Sequence, residues 1–352
     1  CWRPSVFLRS RSTRVTDRVS RSFEERIRAV LRSRPVIHMR TNLLWIGELM
    51  LVLLLGAAVE GALLPGSAST LSPLVPLDLA VMIGALGATV PIGQLRLNRN
   101  EIWPTVALLV AQLACLPAFA FLIGSAMPNP LIRQGLLATA LAPAEITSGA
   151  MVMIATGDAI MAVRLMVASL ILSVITIPLG LQLLGGLAVT VQASAILPEL
   201  LLIVLFPFLV GSTARQLIPR LAAFQVEFNA VCALAVVFLT FVVAAQIRAL
   251  GLGASLVFAL GGAIVLNAFG YGLGWVLASR LGLSREQRRA AILSSGMREF
   301  GIATAVAITF LPAGAAAVPA IYGLVMLVSA GAIASTMRRA GDKTAMTAST
   351  VA

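Results

Sequence analysis

The chain has 352 residues, of which 59% are apolar and only 11% charged, and its mean hydropathy is +0.98. Soluble globular domains carry roughly 25% charged residues, so a water-soluble fold would have too little polar surface here. The net charge of +12 is concentrated in an Arg-rich N-terminal tail and in loops, a pattern of membrane topology in which nucleic acid is not an expected partner. The composition predicts an all-α polytopic membrane protein.

The chain lacks the residue sets of common enzyme and metal sites. Cys1, Cys115 and Cys232 show no paired spacing, and His38, the sole histidine, lies outside the apolar segments. No apolar segment holds paired histidines, a Gly-x-Ser-x-Gly turn with a histidine partner, or an aspartate dyad suited to catalysis. We expect no enzyme activity, no metal site and no cofactor apart from a coupling ion, H⁺ or Na⁺.

Residues 1–42 form a basic tail. Ser22 and Glu25 have capping-box spacing, which favours a short helix that lies on anionic lipid, although a disordered leader fits equally well. A cleaved signal peptide is the weaker interpretation, because the apolar segment after this long tail is itself long enough to span a membrane.

Ten apolar segments follow, each close to the roughly 20 residues that a helix needs to cross the hydrocarbon core. They lie near 43–64, 72–93, 104–124, 131–156, 159–184, 197–216, 226–247, 254–279, 289–311 and 314–336. Prolines flank the second segment, and Arg298 and Glu299 interrupt the ninth, so nine spans remain an alternative.

The basic residues of the loops set the predicted orientation, because short loops rich in Arg and Lys stay in the cytoplasm. With ten spans, most of the loop Arg residues fall on the side of the N-terminal tail, whereas the opposite side receives only Arg133 and Arg248. This asymmetry predicts an even number of spans in the inner (plasma) membrane of the cell. Both termini, including the tail 337–352, are then cytoplasmic.

Two spans contain ionisable residues in the middle of apolar sequence, where charge is costly and marks candidate functional sites. Glu145 follows Pro143 in APAEITSGAM of the fourth span, and Arg298 and Glu299 lie in SSGMREFG of the ninth. Proline removes a backbone donor and glycine loosens a helix, so both spans are expected to unwind beside a ligand. The alternative is two ordinary helices with buried ion pairs, as in a sensor or lipid-binding scaffold that transports nothing.

Glu48, Glu60 and Asp78 also lie in apolar segments, the first two in the first span and Asp78 near the start of the second. Their positions are close to the membrane interface. Snorkelling or a local hydrogen bond is therefore their expected role.

The two interrupted spans are related by an internal repeat. A shift of 154 residues carries Leu43 onto Leu197 and Glu145 onto Glu299. Five spans per half is an odd number, so the second half enters the membrane in the opposite orientation, as in many secondary transporters. The predicted halves are 43–186 and 187–336.

Four stretches carry a family resemblance: AQLACLPAFAF at 111–121, ALAPAEITSGAMVMIATGDAIMAV at 140–163, VLFPFLVGSTAR at 204–215, and FGYGLGWVLASRLGLSREQRRAAILSSGMREFGIATAVA at 269–307. With them the chain resembles the bile acid/sodium symporter family over nearly all of 43–336, and more loosely the arsenite-efflux and auxin-carrier proteins. The resemblance implies ten helices in a panel and a core domain, with helices 4 and 9 crossing in the core. It also implies import of organic anions coupled to sodium.

The sodium ligands of that family are mostly replaced. The family's Gly-Gly-Thr-Ala-Ser-Asn run keeps only Ser148, and its sodium-ligating Asn is Gly149 here. In the family's Glu-x-Gly-Met-Gln-Asn run, the ligating Glu and Gln become Ser294 and Arg298, whereas Gln112 keeps its residue type. The resemblance therefore places a fixed guanidinium near a sodium position.

The predicted substrate and ion site consists of Gln112, Glu145, Thr147, Ser148, Ser294, Arg298 and Glu299. We expect Arg298 to replace the charge of sodium and to be balanced by Glu145 or Glu299, from which a substrate anion would displace it. Transport of a small organic anion would then be sodium-independent, by uniport or exchange, or coupled to protons through a carboxylate. Sodium-coupled symport is the alternative. The substrate, the direction of transport and the oligomeric state remain open.

Overall fold

The computed structural model describes residues 50–90, 93, 95–96, 98–185, 193–249, 255–312 and 314–351. The predicted tail 1–42, Glu48 and the predicted repeat boundary at 186–187 lie outside these ranges. The α-helices are α1 (Met50–Leu63), α2 (Ser67–Leu71), α3 (Val75–Thr89), α4 (Arg99–Ser125), α5 (Pro130–Leu141), α6 (Ser148–Ile154), α7 (Ala159–Leu184), α8 (Ala193–Leu200), α9 (Phe206–Leu217), α10 (Gln225–Ala249), α11 (Leu256–Arg280), α12 (Arg285–Gly296), α13 (Phe300–Phe310) and α14 (Ala317–Val351).

Within the described ranges, seven helical segments are long and apolar enough to cross a membrane. They are Ser69–Thr89, Arg99–Ser125, Ala159–Leu184, Ser194–Leu217, Pro219–Ala249, Leu256–Arg280 and Ala317–Arg339. Two shorter apolar helices, Val52–Leu63 and Phe300–Phe310, accompany them. The prediction of a multi-pass, all-helical membrane protein is confirmed at this level, and the count of ten spans stays a prediction.

The fourth and ninth predicted spans are each divided into two short helices. In the fourth, α5 ends at Leu141 and α6 begins at Ser148; in the ninth, α12 ends at Gly296 and α13 begins at Phe300. The breaks lie at the positions where proline, glycine and charged residues interrupt the apolar sequence. Backbone that leaves a helix inside a bilayer must find partners within the protein.

Both divided spans begin with defined caps. The Asn129 side chain accepts a hydrogen bond from the Leu131 N–H, and Pro130 occupies the first turn of α5, where a backbone donor is not needed. At the start of α12, Ser284 and Gln287 form a reciprocal capping box. These caps fix where each helix starts and therefore which residues arrive at its break.

The helices pack in two groups. In one group α10 packs against α1 and α3, and α3 packs closely on α9 because Gly84 and Gly211 bring the two backbones together. In the other, α4, α5, α7 and α11–α14 pack around the two breaks. Helix α13 also touches α3 and α10, so the second break lies where the groups meet. The panel and core division and the inverted repeat remain predictions.

Candidate functional site

The two helix breaks pair with each other through their backbones. Ala144 and Arg298 form an antiparallel bridge, in which the Glu145 N–H donates to the Met297 carbonyl at 3.0 Å and the Glu299 N–H donates to the Pro143 carbonyl at 2.8 Å. The broken helices therefore cross at this point. Backbone groups that lose their helical partners at one break bond to backbone groups of the other break. Fewer of them are left for a ligand than the sequence suggested, and side chains therefore supply more of the candidate site.

Arg298 caps the end of α5. Its guanidinium donates to the carbonyls of Ala140, at 3.4 Å, and Ala142, and a second nitrogen donates to Gln112 Oε1 at 3.3 Å. The Arg298 side chain is completely buried. The last carbonyls of a helix have no partner within it and carry the negative end of its dipole, so a buried cation is stabilised there.

Gln112 connects this cap to the other divided span. Its amide nitrogen donates to Ser295 Oγ at 3.1 Å while its oxygen accepts from Arg298. Gln112 is fully buried on α4, in the middle of an apolar helix. The predicted site residues Gln112 and Arg298 are thus in direct contact.

The expected pairing of Arg298 with Glu145 or Glu299 is wrong. Among the described residues, no ion pair joins the guanidinium to either carboxylate, and its hydrogen bonds go to Gln112 and to main-chain carbonyls. The backbone is extended at Met297. Consecutive side chains of extended backbone point in opposite directions, so Arg298 and Glu299 leave the break on opposite sides.

Glu145 and Glu299 meet on the other side of the crossing. Both residues are almost completely buried, and the Glu299 carboxylate lies beside the backbone that follows Glu145. Glu299 accepts from the Ile146 N–H at 3.2 Å, and Glu145 accepts from the Thr147 hydroxyl at 3.4 Å. Two ionised carboxylates buried side by side would repel each other, so this arrangement favours one proton between them.

One oxygen of each carboxyl group in this pair accepts no hydrogen bond within the described structure. Within the described structure, Glu145 Oε2 and Glu299 Oε1 are buried without a hydrogen-bond donor. A Cβ at Gly301 would lie 3.0 Å from both Glu299 Oε1 and Met82 Cε, so the pair reaches the seam between α13 and α3. The Cys232 thiol of α10 contacts the Met82 carbonyl from the other side at 3.4 Å. The carboxyl pair therefore lies where the two helix groups meet.

The end of α12 is capped without charge. The Gly296 carbonyl accepts from Asn267 Nδ2 at 2.8 Å and from the Tyr322 hydroxyl at 2.6 Å. Ser329 donates to Asn267 Oδ1 at 2.8 Å and lies 3.1 Å from the Tyr271 hydroxyl. This cluster was not among the predicted site residues, although Asn267 in the middle of an apolar span was a detectable signal.

The remaining predicted site residues occupy different places. Thr147 contacts Glu145, whereas the hydroxyls of Ser148 and Ser294 are buried without a partner in the described part of the chain. Ser169, which was not predicted, accepts from the Ala144 N–H at 2.9 Å and so supports the first break. The described residues contain no cluster of His, Cys, Asp and Glu that could hold a metal ion.

Comparison with known proteins identifies the relatives of this chain. The chain is 23% identical over 255 residues to the "Uncharacterized sodium-dependent transporter YocS" of Bacillus subtilis, an alignment that covers 71% of this chain and 78% of the relative. It is 25% identical over 207 residues to the "Uncharacterized protein YbaS" of the same organism, with 56% and 65% covered. A model of the SBF-like CPA transporter family matches residues 47–339 and confirms the resemblance. The chain belongs to the SBF-like CPA transporter family.

Proposed function

We propose that this protein is a secondary active transporter that carries a small organic anion together with protons, and does so without sodium. The carboxyl pair Glu145–Glu299 is the proton carrier, and Arg298 is a fixed positive charge behind it. The proposal rests on one observation: at the crossing of the two broken helices, the carboxyl pair lies on one side and Arg298 lies on the other. We place the protein in the plasma membrane with both termini in the cytoplasm.

Sodium is disfavoured because the oxygen atoms suited to it are already occupied. A hard cation such as sodium needs several oxygen ligands that converge on a small cavity. Here the carbonyls of Ala140 and Ala142 and the Gln112 side-chain oxygen all accept from the Arg298 guanidinium. A second cation at this position would lack those ligands and would be repelled by the guanidinium.

The carboxyl pair links anion binding to proton binding. With one shared proton the pair keeps a negative charge, which repels an anion that enters the seam beside α3. A second proton removes that charge, while Arg298 and the N-terminal end of α13 retain a positive potential. Anion and proton therefore favour each other's binding, which is the requirement for symport.

Sodium-coupled symport is the second candidate, and it rests on a specific observation. The relative YocS is named as a sodium-dependent transporter. The identity of 23% leaves room for a change of coupling ion. The two candidates differ in the gradient that drives uptake.

The test is uptake by proteoliposomes of an organic anion first selected in a thermal-shift screen. We expect a pH gradient, acidic outside, to drive accumulation in the absence of sodium, and a sodium gradient at uniform pH to drive none.

Glu145→Gln and Glu299→Gln should abolish the response to the pH gradient, whereas Glu60→Gln, on the exposed side of α1, is the control and should retain it. Strict dependence on sodium would establish the second candidate. A thermal shift without flux would favour a sensor or scaffold.

A further inference from the structure

The Asp78 side chain, on α3, has a buried polar atom that needs an explanation. One carboxyl oxygen, Oδ2, is buried and has no hydrogen-bond partner among the described residues. The local hydrogen bond expected from the sequence is therefore not made by this atom. An unsatisfied polar atom is costly in a protein interior, and such exceptions call for a functional explanation.

Asp78 lies on the same side of α3 as the contact with the carboxyl pair. Asp78 and Met82 are four residues apart in one helix and so share a face. Met82 approaches Gly301 together with Glu299 Oε1. Asp78 is thus one helical turn from the Glu299 contact, toward the Val75 end of α3.

A hydroxyl group lies on the facing helix in the same direction. Thr304 follows Gly301 by three residues on α13 and shares its face, and its Oγ1 is buried without a partner in the described structure. Gly314, which follows the far end of α13, lines a small cavity together with Asn129 and Ser255. Helix α10 ends near the same membrane face, just beyond the hydrogen bond between Gln246 and Ser72. Thr304 and Asp78 therefore both lie on the side of the carboxyl pair that faces the Val75 end of α3.

The charged groups of the elements around α3 do not neutralise Asp78. Helix α13 has no titratable residue, and Cys232 of α10 lies opposite Met82. The others are at the two ends: Arg215, Arg220 and Glu227 toward Thr89, and Arg248 beyond the Gln246 contact with Ser72. Among the described residues, Asp78 thus has no fixed counter-charge at its own level, so that it can exchange a proton.

We propose that Asp78, with Thr304, relays protons between the Val75 end of α3 and the Glu145–Glu299 pair. The inference rests on the function proposed above, under which this end is extracellular. The Asp78 O–H gives its proton to the Thr304 hydroxyl oxygen, which releases its own proton to the open oxygen of Glu299. Asp78 then takes a new proton from the extracellular side, so each cycle moves one proton inward.

Right-side-out membrane vesicles allow a test without knowledge of the substrate. A rapid step to acidic pH outside, recorded by solid-supported-membrane electrophysiology, displaces charge as protons reach the pair. We expect Asp78→Asn to slow this current at least about tenfold while the total displaced charge stays the same. Asp78→Glu should restore the rate, and Thr304→Val should slow it less than Asp78→Asn.

The controls separate the relay from the carrier. Glu60→Gln, an acid-to-amide change on α1, should leave the current unchanged, and Glu145→Gln with Glu299→Gln should remove it. An unaltered rate in Asp78→Asn would overturn the relay but leave the carrier intact. Loss of displaced charge in Asp78→Asn, with the protein still monodisperse, would also overturn it, since Asp78 would then hold the carried proton. No pH-step current in the native protein would reject both proposals.

Discussion

The two broken helices end in different ways. The terminal carbonyls of α5 are capped by a buried cation, Arg298, whereas the terminal carbonyl of α12 is capped by the neutral groups of Asn267 and Tyr322. Both ends pose the same problem, because the last carbonyls of a helix need donors that water cannot supply in a bilayer. Uncharged donors are therefore sufficient to stabilise the end of such a helix. The charge at the α5 end needs a further reason.

The predicted repeat of 154 residues makes this difference more specific. The shift relates Glu145 to Glu299, so both halves contribute an acid, but it relates Arg298 to Ala144, its own bridge partner. An alanine side chain cannot reach a helix end, and the α12 cap comes from α11 and α14 instead. Glu145 and Glu299 thus occupy equivalent positions of the predicted repeat, whereas Arg298 has no basic counterpart. We infer that the cation was placed for function.

Removal of the charged cap should have the largest effect. Arg298→Ala leaves the carbonyls of Ala140 and Ala142 and the Gln112 oxygen without a donor, which we expect to destabilise the protein by about 3 kcal/mol. Anion transport should be lost in proteoliposomes, and the thermal unfolding temperature in detergent should fall. Unchanged uptake in a folded variant would show that the charge is dispensable.

Replacement of the cation by sodium should have an intermediate effect. Arg298→Gln with Gly149→Asn introduces the two residue types that the resemblance to bile acid/sodium symporters implies at these positions, and it releases the α5 carbonyls. We expect this variant to gain thermal stability when sodium chloride replaces choline chloride, because a ligand that binds only the folded state stabilises it. The native protein is the matched control and should not respond. Equal shifts in both would indicate a general salt effect and contradict the substitution of sodium by Arg298.

Much of the fold could be predicted from sequence, because apolar length alone marks membrane helices and proline or charge marks their interruptions. The breaks at Pro143–Glu145 and at Arg298–Glu299 were found in this way. Glu145 and Glu299, which the predicted repeat aligns, lie at the same crossing in the structure. The direction of the Arg298 side chain was not predictable. It depends on the backbone angles at Met297, which no residue pattern specifies.

The neutral cap offers the smallest effect and the most direct test of the comparison. Tyr322→Phe removes one of two donors to the Gly296 carbonyl, and Asn267 still serves it, so we expect a loss of about 1 kcal/mol in stability. Tyr271→Phe, which removes a hydroxyl bonded to Ser329 in the same cluster, is the matched control. Proton-driven uptake should persist in both variants, because neither hydroxyl contacts the carboxyl pair. If Tyr322→Phe instead abolished uptake as completely as Arg298→Ala, the neutral end would share the function of the charged one, and the asymmetry between the two breaks would have no bearing on coupling.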